Sequence, residues 1–432
     1  MLRLSEQWNL LDAKRRGAVL TVARALEEAG HRAWLVGGAV RDLLLGQEVG
    51  DLDMVSKALP DEVVELFPHS REVGRSFGIV QVEAAGRWIE LATFRLERGY
   101  SDGRRPDEVQ YTESLEKDAG RRDFTCNALY LDPLTMEVRD PKAGVADLEK
   151  GQLACVGDAK GRFEEDGLRL LRMARFLARL GLKPAAGLFE AAASSRDSLR
   201  GVSGERVLEE LKRMAEGPAS QVAMGALASS KLLGLAITVG KQEVLSDEPL
   251  RLAAWERISV ANAAPSGLEL ALLLSIFLDP APGQILRESE IRSTAQSAFR
   301  LLRASSCLGQ QVTDLWHLRS YFANNPKQDS VSIRAFRGPQ GPLALELART
   351  WKELQGEQQA RVETLLAWFE ELPKSRVWPD FLPSGQQLLE RGIPAGPRMG
   401  ELMRAVEDAA LMGVVKDQAS AVDWVLAQGP LS

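Results

Sequence analysis

Few features of a secreted or membrane-bound protein are present in this sequence. Cysteine is scarce, with only Cys126, Cys155 and Cys307 in 432 residues. Their odd number and wide separation give neither a disulfide framework nor a metal-ligand spacing. A reducing cytoplasm is therefore the expected setting. Histidine is equally rare (His31, His69 and His317), and none is followed by aspartate. Long apolar runs are missing too. The most apolar stretch, 268–278, is short and contains Glu269, against the roughly 18 uncharged residues a membrane span needs. No membrane partner is expected. The opening MLRLSEQWNL has no signal-peptide apolar region. Nor is there an excess of positive charge. The net charge of −6 argues against a protein that coats nucleic acid through bulk charge, and no DNA partner is expected.

What the chain does have is an ordinary globular balance, 45% hydrophobic and 26% charged, enough to bury several cores. At roughly 100–200 residues per domain, two to four units are expected. Its arginines are unevenly placed. Arg95, Arg98, Arg104, Arg105, Arg121, Arg122, Arg162, Arg169, Arg172, Arg175 and Arg179 fall within 85 residues. A local basic track in the first 180 residues is thus compatible with the negative total.

Apolar residues at helical spacing over 8–29, ended by Gly30, predict an N-terminal helix. A strand is expected at 33–36, a helix over AVRDLLL closed by Gly46, and a second strand at 52–55. PDEVVELF carries proline near its start and acids in its first turn, so it reads as a helix. Segments 78–83 and 88–94 read as a hairpin turning near Ala85-Gly86, 97–106 as a loop, and 127–131 as a strand. From about residue 160 the pattern is helical to the end. The fold class is therefore α+β: a mixed head followed by an all-helical remainder.

Gly50-Asp51-Leu52-Asp53 is the central feature of the head. On a strand, Asp51 and Asp53 would share a face about 7 Å apart, with Leu52 toward the core. Such a pair suits Mg2+, which takes few protein ligands and completes its shell with water and phosphate. Glu90, a charge within the apolar run 88–94, is a candidate third carboxylate. Upstream, Gly37-Gly38 joins a strand to a helix that carries Arg41 in its first turn. Missing side chains let backbone N–H groups approach a triphosphate, and Arg41 could add a charge-assisted bond. Downstream, Arg122 and Asp123 combine a phosphate-holding cation with a carboxylate able to accept from a ribose 2′-hydroxyl.

The segment 164–179 predicts one helix, with Glu165 and Asp166 in its first turn and Arg169, Arg172, Arg175 and Arg179 on one face. Asp166 and Arg169, three residues apart, would offer an acceptor beside a donor fork. Cytosine and adenine both show an amine donor next to a ring-nitrogen acceptor, whereas uracil and guanine show the reverse order. The pair could therefore accept C and A and refuse U and G.

LVGGAVRDLLLG, GDLDMV, RRDFTCNAL and EEDGLRLLRMARF, in that order and spacing, resemble the class II (bacterial-type) tRNA nucleotidyltransferase and poly(A) polymerase family. The resemblance implies a polymerase-β-like head over 31–158 after the N-terminal helix of 1–30. A helical neck over 159–215, a body over 216–370 and a tRNA-binding tail over 371–432 would follow. It implies triphosphate binding by Gly37, Gly38 and Arg41, metal binding by Asp51 and Asp53, and ribose selection by Arg122 and Asp123, with Asn127 in the same nucleotide site. Base reading would fall to Asp166 and Arg169, supported by Arg172 and Arg175. A flexible loop with Tyr100, Asp102, Arg104 and Arg105 would serve terminal A addition, and its presence disfavours a CC-only enzyme. The expected partners are CTP, ATP and the tRNA acceptor arm, gripped by shape and backbone. CCA addition leads these expectations. A-addition alone fits the same motifs, and poly(A) polymerase is disfavoured because 73–82 lacks that group's histidine.

Overall fold

The computed structural model describes residues 4–74, 78–98, 108–237, 248–260, 267–279, 288–324, 326–350 and 357–428. The chain divides into two compact units, Met1–Leu245 and Ser246–Ser432.

The first unit opens with a 3-10 turn, Gln7–Leu10, then helix α1, Ala13–Glu28. The single helix expected over 8–29 is divided because the Asp12 carboxylate accepts the Arg15 N–H at 2.8 Å and caps α1 there. Strand β1 (Ala33–Val36) leads through Gly37 into α2 (Gly38–Leu44), then β2 (Asp53–Ser56) and α3 (Pro60–Leu66). Strands β3 (Ser70–Gly74), β4 (Ile79–Ala84) and β5 (Arg87–Thr93) follow. Ala85 and Gly86 both take positive φ, 48° and 71°, which closes β4 and β5 into the expected tight hairpin. Strands β6 (Arg95–Arg98) and β7 (Glu108–Tyr111) pair antiparallel, so residues 97 and 98, expected in a loop, lie on a strand. Helix α4 (Leu115–Gly120) precedes a 3-10 turn, Thr125–Asn127, and a short β8, Tyr130–Leu131. The strand expected from Asn127 is shortened by that turn.

A seven-stranded sheet has the order β3-β4-β5-β2-β1-β8-β9, with β9 at Val138–Arg139. Only β2 and β5 pair in parallel; the other neighbours are antiparallel. Alternation sorts the side chains. Leu35, Met54, Ile89 and Leu91 join α1 residues Val19, Val22 and Leu26 in one core. Trp34, Val36, Val55 and Tyr130 form a second core on the opposite face.

Helix α5 (Gly144–Glu149) and β10 (Gln152–Leu153) lead to α6 (Ala159–Glu165) and α7 (Leu168–Leu180). The expected continuous helix over 164–179 is broken at Asp166, whose φ of −142° is extended. Asp166 therefore lies between two helices rather than in a first turn. Among its described residues the helical remainder also contains a strand, β11 (Lys183–Pro184), parallel to β10. Helices α8 (Leu188–Ser194), α9 (Gly204–Ala215), α10 (Ser220–Ser229) and α11 (Leu233–Ile237) follow, and α7 packs on α9 and α10.

Every regular element among the described residues of the second unit is a helix. The apolar stretch at 268–278 forms the helix Glu269–Phe277, buried on every side from Leu270 onward, as a core helix should be. No helix among the described residues is long and apolar enough to cross a membrane. Toward the C-terminus, Leu388, Leu402, Val406, Ala421 and Val425 form a separate small core.

Candidate active site

The antiparallel pairing of β1 with β2 places the end of β1, where the glycine turn starts, beside the start of β2, where Asp53 stands. Motifs fourteen residues apart in sequence thus meet at one end of the sheet. The parallel pairing of β2 with β5 then sets Glu90 opposite Asp53. Both acids lie on the face away from α1, because their neighbours Met54 and Leu91 point into the α1 core. Asp51 falls just before β2, so strand alternation does not fix its direction as expected.

Electrostatics nevertheless joins the three acids. Enough protein surrounds the Asp53 carboxyl that desolvation raises its pKa, Asp51 raises it further, and Arg122 partly offsets both. Glu90 is raised by desolvation, then by Asp53 and Asp51, against the pull of Arg95. Three mutually repelling carboxylates at a strand end are a poor arrangement unless a cation relieves them. Among the described residues no three His, Cys, Asp or Glu side chains form a ready metal cage. That donor set fits Mg2+, which keeps water and substrate oxygens in its shell, better than a fully protein-coordinated metal.

Gly37 takes φ +68°, a region that favours glycine. A Cβ there would sit 3.5 Å from Arg122 Nη1, which places that guanidinium beside the turn. Arg122 donates to the Tyr130 hydroxyl at 3.1 Å and to Asp118 at 3.2 Å. Burial would lower its pKa, but the charge of Asp118 and contact with Tyr130 raise it, so it stays a fixed cation. Asp118 is likewise pushed up by burial, yet Arg121, Arg122 and Tyr130 hold it at about 2.

Arg41 does not project toward a phosphate. It is 2% exposed, donating to Asp42 at 2.8 Å and to Asn127 at 2.5 Å. Its guanidinium lies under the turn, where a Cβ on Gly38 would meet Nη2 at 3.4 Å. A cation in a helix's first turn is thus explained by a buried carboxylate beside it. Asp123 accepts from the Phe124 N–H, Asn127 and Arg172 at 2.8, 3.0 and 2.7 Å. Burial would raise its pKa, but the charge of Arg172 and these bonds hold it at about 2.

The arginine stripe of α7 is not a solvated basic face. Arg169 and Arg175 are buried, Arg172 is half-buried, and only Arg179 is exposed. Each has an acid: Glu165 for Arg169 at 2.6 Å, Asp123 for Arg172, Glu210 for Arg175 at 2.6 Å, and Asp42 for Arg179 at 3.1 Å. A continuous path therefore runs Arg179–Asp42–Arg41–Asn127–Asp123–Arg172–Glu210–Arg175. It ties the glycine turn to α7 and α9. Asp166 accepts the Leu168 N–H and, at 3.0 Å, Arg206 of α9. Arg169 also donates to the Arg162 and Arg121 carbonyls at 2.9 and 3.1 Å.

Sequence reasoning missed Asp42, Asp118, Arg206 and Glu210. Asp42, adjacent to Arg41, could have been suspected. Arg206 and Glu210 carry no local signal, because only folding brings α9 to α7. The expected loop residues Tyr100, Asp102, Arg104 and Arg105 lie outside the described residues. Their flanks are the paired strands β6 and β7.

Residues 33–154 match the Poly A polymerase head domain family. The head with its glycine turn and acid pair defines a nucleotidyltransferase. The CCA-adding enzyme of Lactobacillus johnsonii is 31% identical over 415 residues, covering 94% of this chain and 95% of that protein. That of Geobacillus thermodenitrificans is 41% identical over 213 residues, about half of each chain (49% and 52%). The Bacillus stearothermophilus CCA-adding enzyme, solved in complex with CTP, superposes with TM-score 0.66 at 26% identity, covering 97% of this chain and 98% of that one. The Thermotoga maritima CCA-adding enzyme complexed with tRNA-CCA shares the fold, with TM-score 0.63 at 18% identity and coverage of 99% and 98%. This chain belongs to the CCA-adding enzyme family.

Proposed function

We propose that this protein adds cytidine and then adenosine to tRNA 3′ ends from CTP and ATP, releasing pyrophosphate, without a nucleic-acid template. The observation that carries the reading is Asp53, standing between Glu90 on β5 and the Gly37 turn on β1. Carboxylates Asp51 and Asp53 would hold Mg2+, with Glu90 beside them to tune their charge or accept the 3′-hydroxyl proton. Bound Mg2+ would sharpen the 3′-hydroxyl as a nucleophile and neutralise the leaving pyrophosphate. The Gly37 N–H is held by the Leu129 carbonyl at 3.1 Å, so Gly38, at the start of α2, would present backbone N–H to the triphosphate, and Arg122 supplies a fixed positive charge there. Asp123, held ionised, is suited to accept from the ribose 2′-hydroxyl. Arg41 and Asn127 are positioning residues beneath the turn.

Asp166 and Arg169 remain the proposed base readers. Asp166 is engaged with Arg206 and Arg169 with Glu165, so reading C or A involves exchanging some of those bonds for bonds to the base. Arg172 and Arg175 buttress that helix. The family likeness, together with three free cysteines, supports a cytoplasmic setting. The test offers tRNAs ending in the discriminator base, in C or in CC to the purified protein with labelled CTP and ATP. Extension of the first by both nucleotides is expected. Extension of CC ends alone would identify an A-adding enzyme, and repeated adenylation a poly(A) polymerase. Extension of none would end the proposal.

A further inference from the structure

We infer that Asp118, a buried acid on α4 that no motif singles out, is the positioning residue that fixes the Arg122 guanidinium for the incoming triphosphate. This rests on the functional reading above and assigns a residue that reading leaves out. Asp118 is fully buried, and a carboxylate so placed needs donors on both oxygens to stay charged. Its two oxygens divide their donors by destination. Oδ2 accepts from Arg122 Nη2 at 3.2 Å and from the Tyr130 hydroxyl at 2.8 Å. The same hydroxyl accepts from Arg122 Nε at 3.1 Å. Two nitrogens of one guanidinium are thus held, one directly and one through Tyr130, which fixes the plane of the group. Oδ1 anchors the carboxylate itself. It accepts from Arg121 Nε at 2.8 Å and from the N–H of Arg95, the first residue of β6, at 3.3 Å.

What remains open on Arg122 is what a phosphate needs. Nη1 lies beside the Gly37 turn and donates to the Asn127 carbonyl at 3.3 Å. Nε, Nη1 and Nη2 each spend one N–H in this way, so two of the five donors have no partner among the described residues. A guanidinium whose plane is already set binds a phosphate oxygen without first losing rotamer freedom. The surrounding charges agree with such a brace. Arg122 opposes the raised Asp53 carboxyl and Arg95 opposes that of Glu90, and both cations belong to residues that Asp118 bonds. Tyr130 is pushed up by desolvation, and by Asp118 against the pull of Arg122, so it keeps the proton it donates to Asp118.

The test uses Asp118→Asn, which keeps the shape but loses the charge, and Tyr130→Phe, which removes one hydroxyl and is the milder change. CTP and ATP are each varied at saturating tRNA, then tRNA at saturating nucleotide. Asp118→Asn should raise both nucleotide KM values about tenfold, the worth of one charge-assisted bond. Tyr130→Phe should raise them about threefold, and the tRNA KM should stay within about twofold in both. Because the effect passes through Arg122, the double variant Asp118→Asn/Arg122→Ala should bind nucleotide no more weakly than Arg122→Ala alone. Unchanged nucleotide KM values in a variant whose melting shows it folded, an equal rise in the tRNA KM, or additive losses in the double variant would overturn the inference. Should Asp118→Asn fail to fold, Tyr130→Phe and its own double variant with Arg122→Ala decide the matter. Calorimetric titration with CTP and Mg2+ reads the same affinities without turnover. If wild type extends no tRNA, the functional reading fails, while that titration still decides the role of Asp118.

Discussion

Asp53 and Glu90 stand directly opposite one another where β2 and β5 run parallel, the one parallel pairing in the seven-stranded sheet. The two were 37 positions apart in the chain and unrelated by any motif. Their juxtaposition, with Asp51 adding its charge, makes this strand end a site of stored repulsion.

Replacing Asp53 by Asn should lower nucleotide incorporation by at least about 1000-fold, since the metal contributes several kcal/mol to the transition state. Chelation with EDTA should do the same to wild type, and Mg2+ should restore it. Single-turnover incorporation on a tRNA lacking CCA measures both. Undiminished activity in the Asn variant removes the central assignment.

The same acids should cost stability when no metal is bound. A carboxylate whose folded pKa is raised binds its proton more tightly folded than unfolded. Its unfavourable contribution therefore appears as pH rises through the ordinary carboxylate value and is complete above the raised one. Asp51→Asn should raise the metal-free melting temperature at pH 8 by on the order of 2–4 °C, with no gain at pH 3. Calorimetry at the two pH values is the check, and an equal gain at both would point to a cause other than charge.

Asp123 gives the opposite sign. Its folded pKa, about 2, lies below the ordinary value, so the Arg172 pairing stabilises the protein above about pH 4 and fades as pH falls toward 2. Asp123→Asn should cost about 3 kcal/mol at pH 7 by leaving Arg172 with only its long 4.0 Å contact to Glu210. Urea titration should show the two proteins converging as the pH drops. A difference independent of pH would assign the loss to packing instead.

Arg206 holds Asp166 from α9, so Arg206→Ala should loosen the base-reading acid without touching the metal acids. Selectivity for CTP over UTP should fall about tenfold, the worth of one charge-assisted bond. Competition between labelled CTP and UTP reads this directly. A slower rate with intact selectivity would make Arg206 a support of the helix alone.

Gly167 has ordinary backbone angles but no space. A Cβ there would lie 2.3 Å from the Ser198 carbonyl oxygen. Gly167→Ala must shift either α7 or the 196–201 turn, at a cost of about 1–3 kcal/mol. Its melting point and its CTP/UTP selectivity should both fall; wild-type values for both would show that the backbone yields freely.

The sequence by itself determined the class of chemistry. Glycines 37 and 38, acids 51 and 53, the 121–123 segment and the arginine-rich stretch are local patterns, and each resides in the element that bears it. The 85–86 turn and the α3 start were equally legible, because their backbone preferences act over a few residues. Only the tertiary structure decided which of these groups face solvent. Arg41 resembles a phosphate ligand in one dimension, yet Asn127, 86 positions away, draws it beneath the turn. The basic stripe of α7 vanishes as a surface because Asp42, Asp123 and Glu210 arrive from three separate elements to neutralise it. The reason is physical: local preference follows from a residue and its neighbours, whereas burial and charge depend on whatever the folded chain brings alongside.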